Sequence, residues 1–117
     1  MGQGRWHILR DGAAVTVARH LPPRFDFMAR TEMPDAGRLK VAHQVRQDRW
    51  RRLQKLRGFS PVVRVVRENG GLTVCAGGRA AVPFPRARVE AQLGAMLSEP
   101  ARRARWARYA RLKEPLK

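Results

Sequence analysis

The chain is short of acids, of cysteine and of long apolar runs, and each shortage removes a class of protein. Cys75 is the only cysteine. No internal disulfide can form, and a zinc site of the usual cysteine-rich kind has no ligands. The three histidines, His7, His20 and His43, have no metal-ligand spacing, and no glycine-rich stretch ends as a phosphate loop does. Neither a metal nor a cofactor is therefore expected. No apolar run approaches the ~20 residues that span a bilayer, and residues 1–20 contain no hydrophobic signal segment. The reading is a chain without membrane contact, placed in the cytoplasm.

Nine acids face 25 basic residues, so the net charge is +16 and the pI about 11.9. Charge of one sign repels itself in a compact fold, which points to a polyanionic partner. Arginine supplies 21 of the 25 cations, and its guanidinium forks onto phosphate or guanine and stacks on bases where lysine does not. A GC-rich, bacterial-like coding bias also raises arginine, together with Ala, Gly, Pro and Val. It accounts less well for the net charge.

At 117 residues one domain is expected, residues 1–117, burying roughly 65% of its unfolded surface. Residues 6–18 read as a β-hairpin turning at Asp11-Gly12, with Trp6, Ile8, Val15 and Val17 on one buried face. Residues 19–36 read as an irregular loop after Pro22-Pro23, pinned by Phe25 and Phe27, with Asp26, Glu32 and Asp35 neutralising nearby arginines. A helix is predicted over 37–57, from an Asp35 N-cap to a Gly58 stop. The hairpin 61–77 turns at Asn69-Gly70, a strong type I′ pair. Its alternation sets Val63, Val65, Leu72, Val74 and Ala76 on one face, and Val62, Arg64, Val66, Thr73 and Cys75 on the other. Gly77-Gly78-Arg79 reads as a flexible basic turn. A second helix follows Pro85 over 86–97, with a stripe of Val89, Leu93, Met96 and Leu97. The third spans 99–113 and leads into a basic tail to 117. Its arginines lie on nearly every side, so it has no stripe to hold it and is expected to order on a partner. The fold class is α+β: two hairpins forming a small antiparallel sheet against two or three helices, in the order ββ-α-ββ-α-α.

The basic run 46–57 is echoed at 102–113. Laying Trp50 on Trp106 brings Arg46 onto Arg102, Arg49 onto Arg105, Arg52 onto Arg108 and Lys55 onto Arg111. Basic residues around a tryptophan on a helix suit a polyanion with bases to stack on. On the predicted first helix Lys40, Gln44, Gln47, Arg51 and Lys55 fall in one row free of acids. Amides and cations in a row can read base edges, Gln on adenine and Arg on guanine. The phosphate contacts are assigned to Arg46, Arg49, Arg51, Arg52, Lys55, Arg102, Arg103, Arg105 and Arg108. Trp50, Trp106 and Tyr109 are the candidate stacking rings.

The composite reading is a non-enzymatic nucleic-acid-binding protein, regulatory or architectural. DNA is preferred to RNA, since the A-form major groove is closed to side chains. The alternative is an interaction protein whose basic surface docks on an acidic protein partner. A third reading, a small basic ribonuclease-type toxin, would use His43 and Glu68 as the acid–base pair. Arg57-Gly58-Phe59 matches the start of an RNA-recognition motif, but Ser60 and Pro61 break it. The cysteine has no basic neighbour in sequence to activate it.

Overall fold

The computed structural model describes residues 6–48, 53 and 55–110. Five strands and three helices follow one another as β1 (His7–Asp11), β2 (Ala14–Ala18), β3 (Phe27–Pro34), α1 (Arg38–Gln47), β4 (Ser60–Glu68), β5 (Gly71–Arg79), α2 (Arg86–Leu97) and α3 (Pro100–Ala110). The fold is α+β, as expected. One antiparallel sheet runs in the order β1-β2-β4-β5-β3, and the helices cover one of its faces. α1 lies over β2 and β4, α2 over β3, and α3 beside α1.

Strand alternation assigns every sheet residue to a face. Val15 pairs with Val65 and Val17 with Val63, while Val63 pairs with Ala76 and Val65 with Val74. These six residues, all fully buried, form the floor of the core with Leu72, Phe27 and Met33. Val41, Ala42 and Val45 of α1, Val89, Leu93 and Leu97 of α2, and Trp106 and Ala110 of α3 close it from above. Phe27 meets Phe59 and Phe84 at ring-centroid distances of 5.9 and 5.8 Å, which plugs one end.

The Asn69-Gly70 hairpin forms as expected, with φ of 55° and 79° at the two turn residues and Glu68 opposite Gly71. Both predicted faces of 62–76 are observed. The first hairpin turns one residue later than expected, at Gly12-Ala13, with Asp11 opposite Ala14. Gly12 alone takes the positive φ, 60°, which suits a II′ turn. Because the cross-strand pairing shifts by two residues, Trp6, Ile8, Val15 and Val17 still share a face. β1 is an edge strand, so Ile8 stays 44% exposed there.

Three expectations are corrected. The second half of the 19–36 loop is strand β3, whose residues Phe27 to Pro34 pair with Gly78 to Gly71. The first helix ends at Gln47 and not at 57, with Asp48 as its C-cap and Gly37, not Asp35, as its N-cap. Asp35 instead accepts from Arg67 at 2.8 Å. Gly77 and Gly78 belong to β5 and not to a turn. They are small because backbones close in on both sides. A Cβ on Gly77 would lie 2.1 Å from the Phe27 carbonyl, and one on Gly78 equally close to that of Ser60.

Gly77→Ala must therefore push β3 off β5 and should cost about 3 kcal/mol or prevent folding. Gly12→Ala meets no atom within 4 Å and carries only its left-handed φ, about 1 kcal/mol. Urea unfolding of the two variants should rank them in that order.

Candidate nucleic-acid interface

α1 carries its buried residues, Val41, Ala42 and Val45, toward the sheet. Lys40, Gln44 and Gln47 lie on one strip of the remaining surface, Lys40 and Gln47 exposed and Gln44 half-buried. Of the rest of the predicted reading row, Lys55 sits in a turn, and Arg51 lies outside the described residues, as do Arg49, Trp50 and Arg52 at the centre of the first copy of the suggested repeat.

The helix α3 runs antiparallel to α1 and is fastened at both ends. At one end the Gly37 N–H donates to the Ala110 carbonyl at 2.9 Å. At the other stands Asp48, whose side chain is only 9% exposed. Its carboxylate accepts from Trp106 Nε1 at 3.0 Å and from Arg105 Nη2, and Arg102 Nη1 lies at 3.2 Å. Arg102 also pairs with Glu99. Arg103 crosses to the sheet, donating to the Thr31 hydroxyl and to the Glu32 carbonyl at 2.6 Å.

These contacts occupy much of the predicted phosphate set. Arg102, Arg103 and Arg105 bind the protein itself. Trp106 is fully buried, so its ring is not presented at the surface. The all-round basic helix does have a stripe, Trp106 and Ala110, once its arginines are engaged. Arg46 is likewise occupied: its guanidinium lies 4.7 Å from the Trp6 ring centroid, and its Nε donates to His43 Nδ1 at 3.0 Å. Arg108 and Tyr109 remain at the surface; Tyr109 is 60% exposed and Arg108 lies 5.3 Å from its ring centroid.

Sequence reasoning missed a cationic group at the N-terminal end of α1. Arg10 from β1, Arg38 and Lys40 from α1 and Arg67 from β4 converge there. The signal was present in the first turn of α1, which has no acid where helices usually place one. Of the four, only Arg67 reaches a carboxylate among the described residues, that of Asp35. The guanidinium of Arg67 holds the Asp35 carboxyl below its ordinary pKa, so Asp35 is ionised at neutral pH.

The other face of the sheet has a different balance. The rows across it include Thr16, Arg64, Cys75 and Arg30, in cross-strand register. Asp11, Glu32 and Glu68 share this face, and Glu32 lies 3.7 Å from Arg30. Burial pushes the Cys75 thiol up despite the flanking arginines, which fits a strand residue and not a nucleophile. Glu68 accepts from the Thr73 hydroxyl at 2.6 Å on this face, whereas His43 belongs to α1. The sheet stands between them, so the acid–base pair of the ribonuclease reading is not assembled. Among the described residues no three His, Cys, Asp or Glu side chains are placed to hold a metal, and no helix is long and apolar enough to cross a membrane.

Comparison with known protein families, curated proteins and solved structures finds no match for the chain.

Removing the Asp48 carboxylate leaves the buried Trp106 indole N–H without its acceptor and Arg105 without its carboxylate, while Arg102 keeps Glu99. Asp48→Ala should cost about 3 kcal/mol by urea unfolding, with a red-shifted Trp emission reporting the loosened α3. A second expectation concerns His43, whose proton affinity is lowered from its ordinary pKa of 6.5 by burial first and by Arg46 next. The unfolded chain therefore protonates before the folded one as pH falls below 6.5. Stability drops through that window until the folded imidazole also takes a proton. Between about pH 7.5 and about pH 5 the wild type should lose more stability than His43→Gln; equal losses would remove His43 as the cause.

Proposed function

We propose that the chain is a nucleic-acid-binding protein without enzymatic activity, engaging duplex DNA before RNA, with a regulatory or architectural role in the cytoplasm. The observation that supports it is a local excess of cations on the helix side. On the open face Asp11, Glu32 and Glu68 are set against Arg30 and Arg64. At the α1–α3 end Arg10, Arg38, Lys40, Arg67 and Arg108 stand against Asp35. Such a cluster of cations is the electrostatic footprint of a polyanion binder.

Phosphate neutralisation carries the affinity in this reading, through Lys40 and Arg108 with the neighbouring arginines. Tyr109 offers a ring to a sugar or an unpaired base. The strip Lys40–Gln44–Gln47 is the part of the surface suited to base edges. It is short, so backbone contacts outweigh sequence readout.

Fluorescence anisotropy with random duplex DNA, single-stranded DNA and RNA across a salt series tests this. The five cations correspond to a slope of about −4.5 in log K against log salt on duplex. Lys40→Gln with Arg108→Gln should bring that slope closer to zero by about 2. Negligible binding at low salt would overturn the reading and redirect the search to an acidic protein partner.

A further inference from the structure

We propose that the recess at the N-terminal end of α1 is a binding site for a phosphate monoester, such as a nucleotide or the terminal phosphate of a strand. The recess has a volume of about 330 Å³ and is lined by Arg10, Arg38, Lys40 and Arg67, together with Gly37 and Ala110. This goes beyond diffuse attraction for a polyanion, and it holds whether or not polynucleotides are the physiological partner.

Three features select the ligand. First, the cations come from three separate elements and face one space, where they repel one another. Arg10 and Lys40 have no polar side-chain partner among the described residues, and Arg38 donates only to the Gly12 carbonyl, at 3.0 Å. Arg67 is anchored by Asp35 and by the Ala36 carbonyl at 2.9 Å, so it is a fixed wall. Four positive charges against one carboxylate match a monoester, which carries about −1.5 to −2 at neutral pH, better than a singly charged diester. Second, guanidinium groups fork onto phosphate oxygens. The first turn of α1 adds N–H groups that have no acceptor within the helix, and its N-cap supplies no side-chain cap. Third, Gly37 and Ala110, both in the lining, are joined by a backbone hydrogen bond from the Gly37 N–H to the Ala110 carbonyl at 2.9 Å, which fixes the two helices at this end. The volume leaves room beyond the phosphate for a sugar.

The test uses the full chain and calorimetric titration with inorganic phosphate, adenosine 5′-monophosphate and adenosine at constant ionic strength. Phosphate and the nucleotide should bind and the nucleoside should not. Arg10→Gln changes an exposed residue of β1 and should weaken both ligands about tenfold, the loss of one charged hydrogen bond. Lys40→Gln should do the same. Arg88→Gln, in the first turn of α2 over the far edge of the sheet, should change them less than about twofold. Oligonucleotides with and without a 5′-phosphate then separate the two sources. Preference for the phosphorylated strand assigns the strand end, and no preference with retained nucleotide binding assigns the free nucleotide. Absent binding of both phosphate and nucleotide, or equal losses in the Arg10 and Arg88 variants, would overturn the site. The duplex titration above can fail while the nucleotide binds, so the two proposals fall separately.

Discussion

The buried carboxylate of Asp48 is the constraint on which the helical layer depends. It terminates α1, and it receives the Trp106 indole together with Arg105 and Arg102 of α3. A carboxylate this enclosed is costly unless its oxygens are all engaged, and here donors from three side chains engage them. A helix with arginines on most sides could not otherwise press one face into an apolar core. With the charges of Arg102 and Arg105 met at Asp48 and Arg103 reaching the sheet, Trp106 and Ala110 are free to bury completely. The far end of the same pair is closed by backbone alone, Gly37 to Ala110. That bond sets the positive end of one helix dipole against the negative end of the other.

The same economy appears at the sheet edges. An unpaired edge invites another strand. Along β3 that edge is occupied: the Met28 N–H donates to Glu90 of α2 at 2.9 Å, and Arg103 of α3 covers the Glu32 carbonyl. The helices thus guard the strand they pack on. β1, at the opposite edge, is exposed along its whole length, and its charge ends at Arg10, which faces the helix side, and Asp11, which does not.

What the sequence made legible was local. Asn69-Gly70 between alternating valines determined a hairpin, its register and both its faces, because a turn of fixed geometry propagates alternation without outside help. The second helix was equally readable, since Val89, Leu93 and Leu97 form one stripe after a proline. The errors were of a different kind. β3 alternates Arg30, Glu32 and other exposed residues with Phe27, Ala29, Thr31 and Met33, but it follows two prolines and needs β5 to exist. The double glycine opposite its start was the usable sign, because glycine within a strand often marks a close backbone. The early end of α1 depends on Asp48 meeting a helix more than fifty residues away. Arg102, Arg103, Arg105 and Trp106 were assigned to a ligand because a sequence displays charge without displaying the carboxylate or carbonyl that folds against it. Lys40, Gln44, Gln47, Lys55, Arg108 and Tyr109 are members of the predicted set that the fold leaves at or near the surface.

Those internal pairings also sharpen the meaning of the net charge. A total of +16 would be uninformative if it were spread evenly, since salt screens surface charges beyond about 8 Å. Packed layers stand about 10 Å apart, so the acids of the open sheet face offset little of the charge beyond the helices. The acids on the helix side are largely consumed: Asp48 by α3, Asp26 by Arg24 and the Ala80 N–H, Glu90 by Arg86 and the β3 edge, and Glu99 by Arg102. Each carboxylate spent on architecture leaves cations elsewhere without a counter-charge. Part of that uncompensated charge lies at the end of α1 and α3 closed by a backbone hydrogen bond, where Asp35 alone answers Arg10, Arg38, Lys40 and Arg67. A polyanion bound there, as proposed, would supply that counter-charge without competing for the Asp48 contacts that hold α3 on the core.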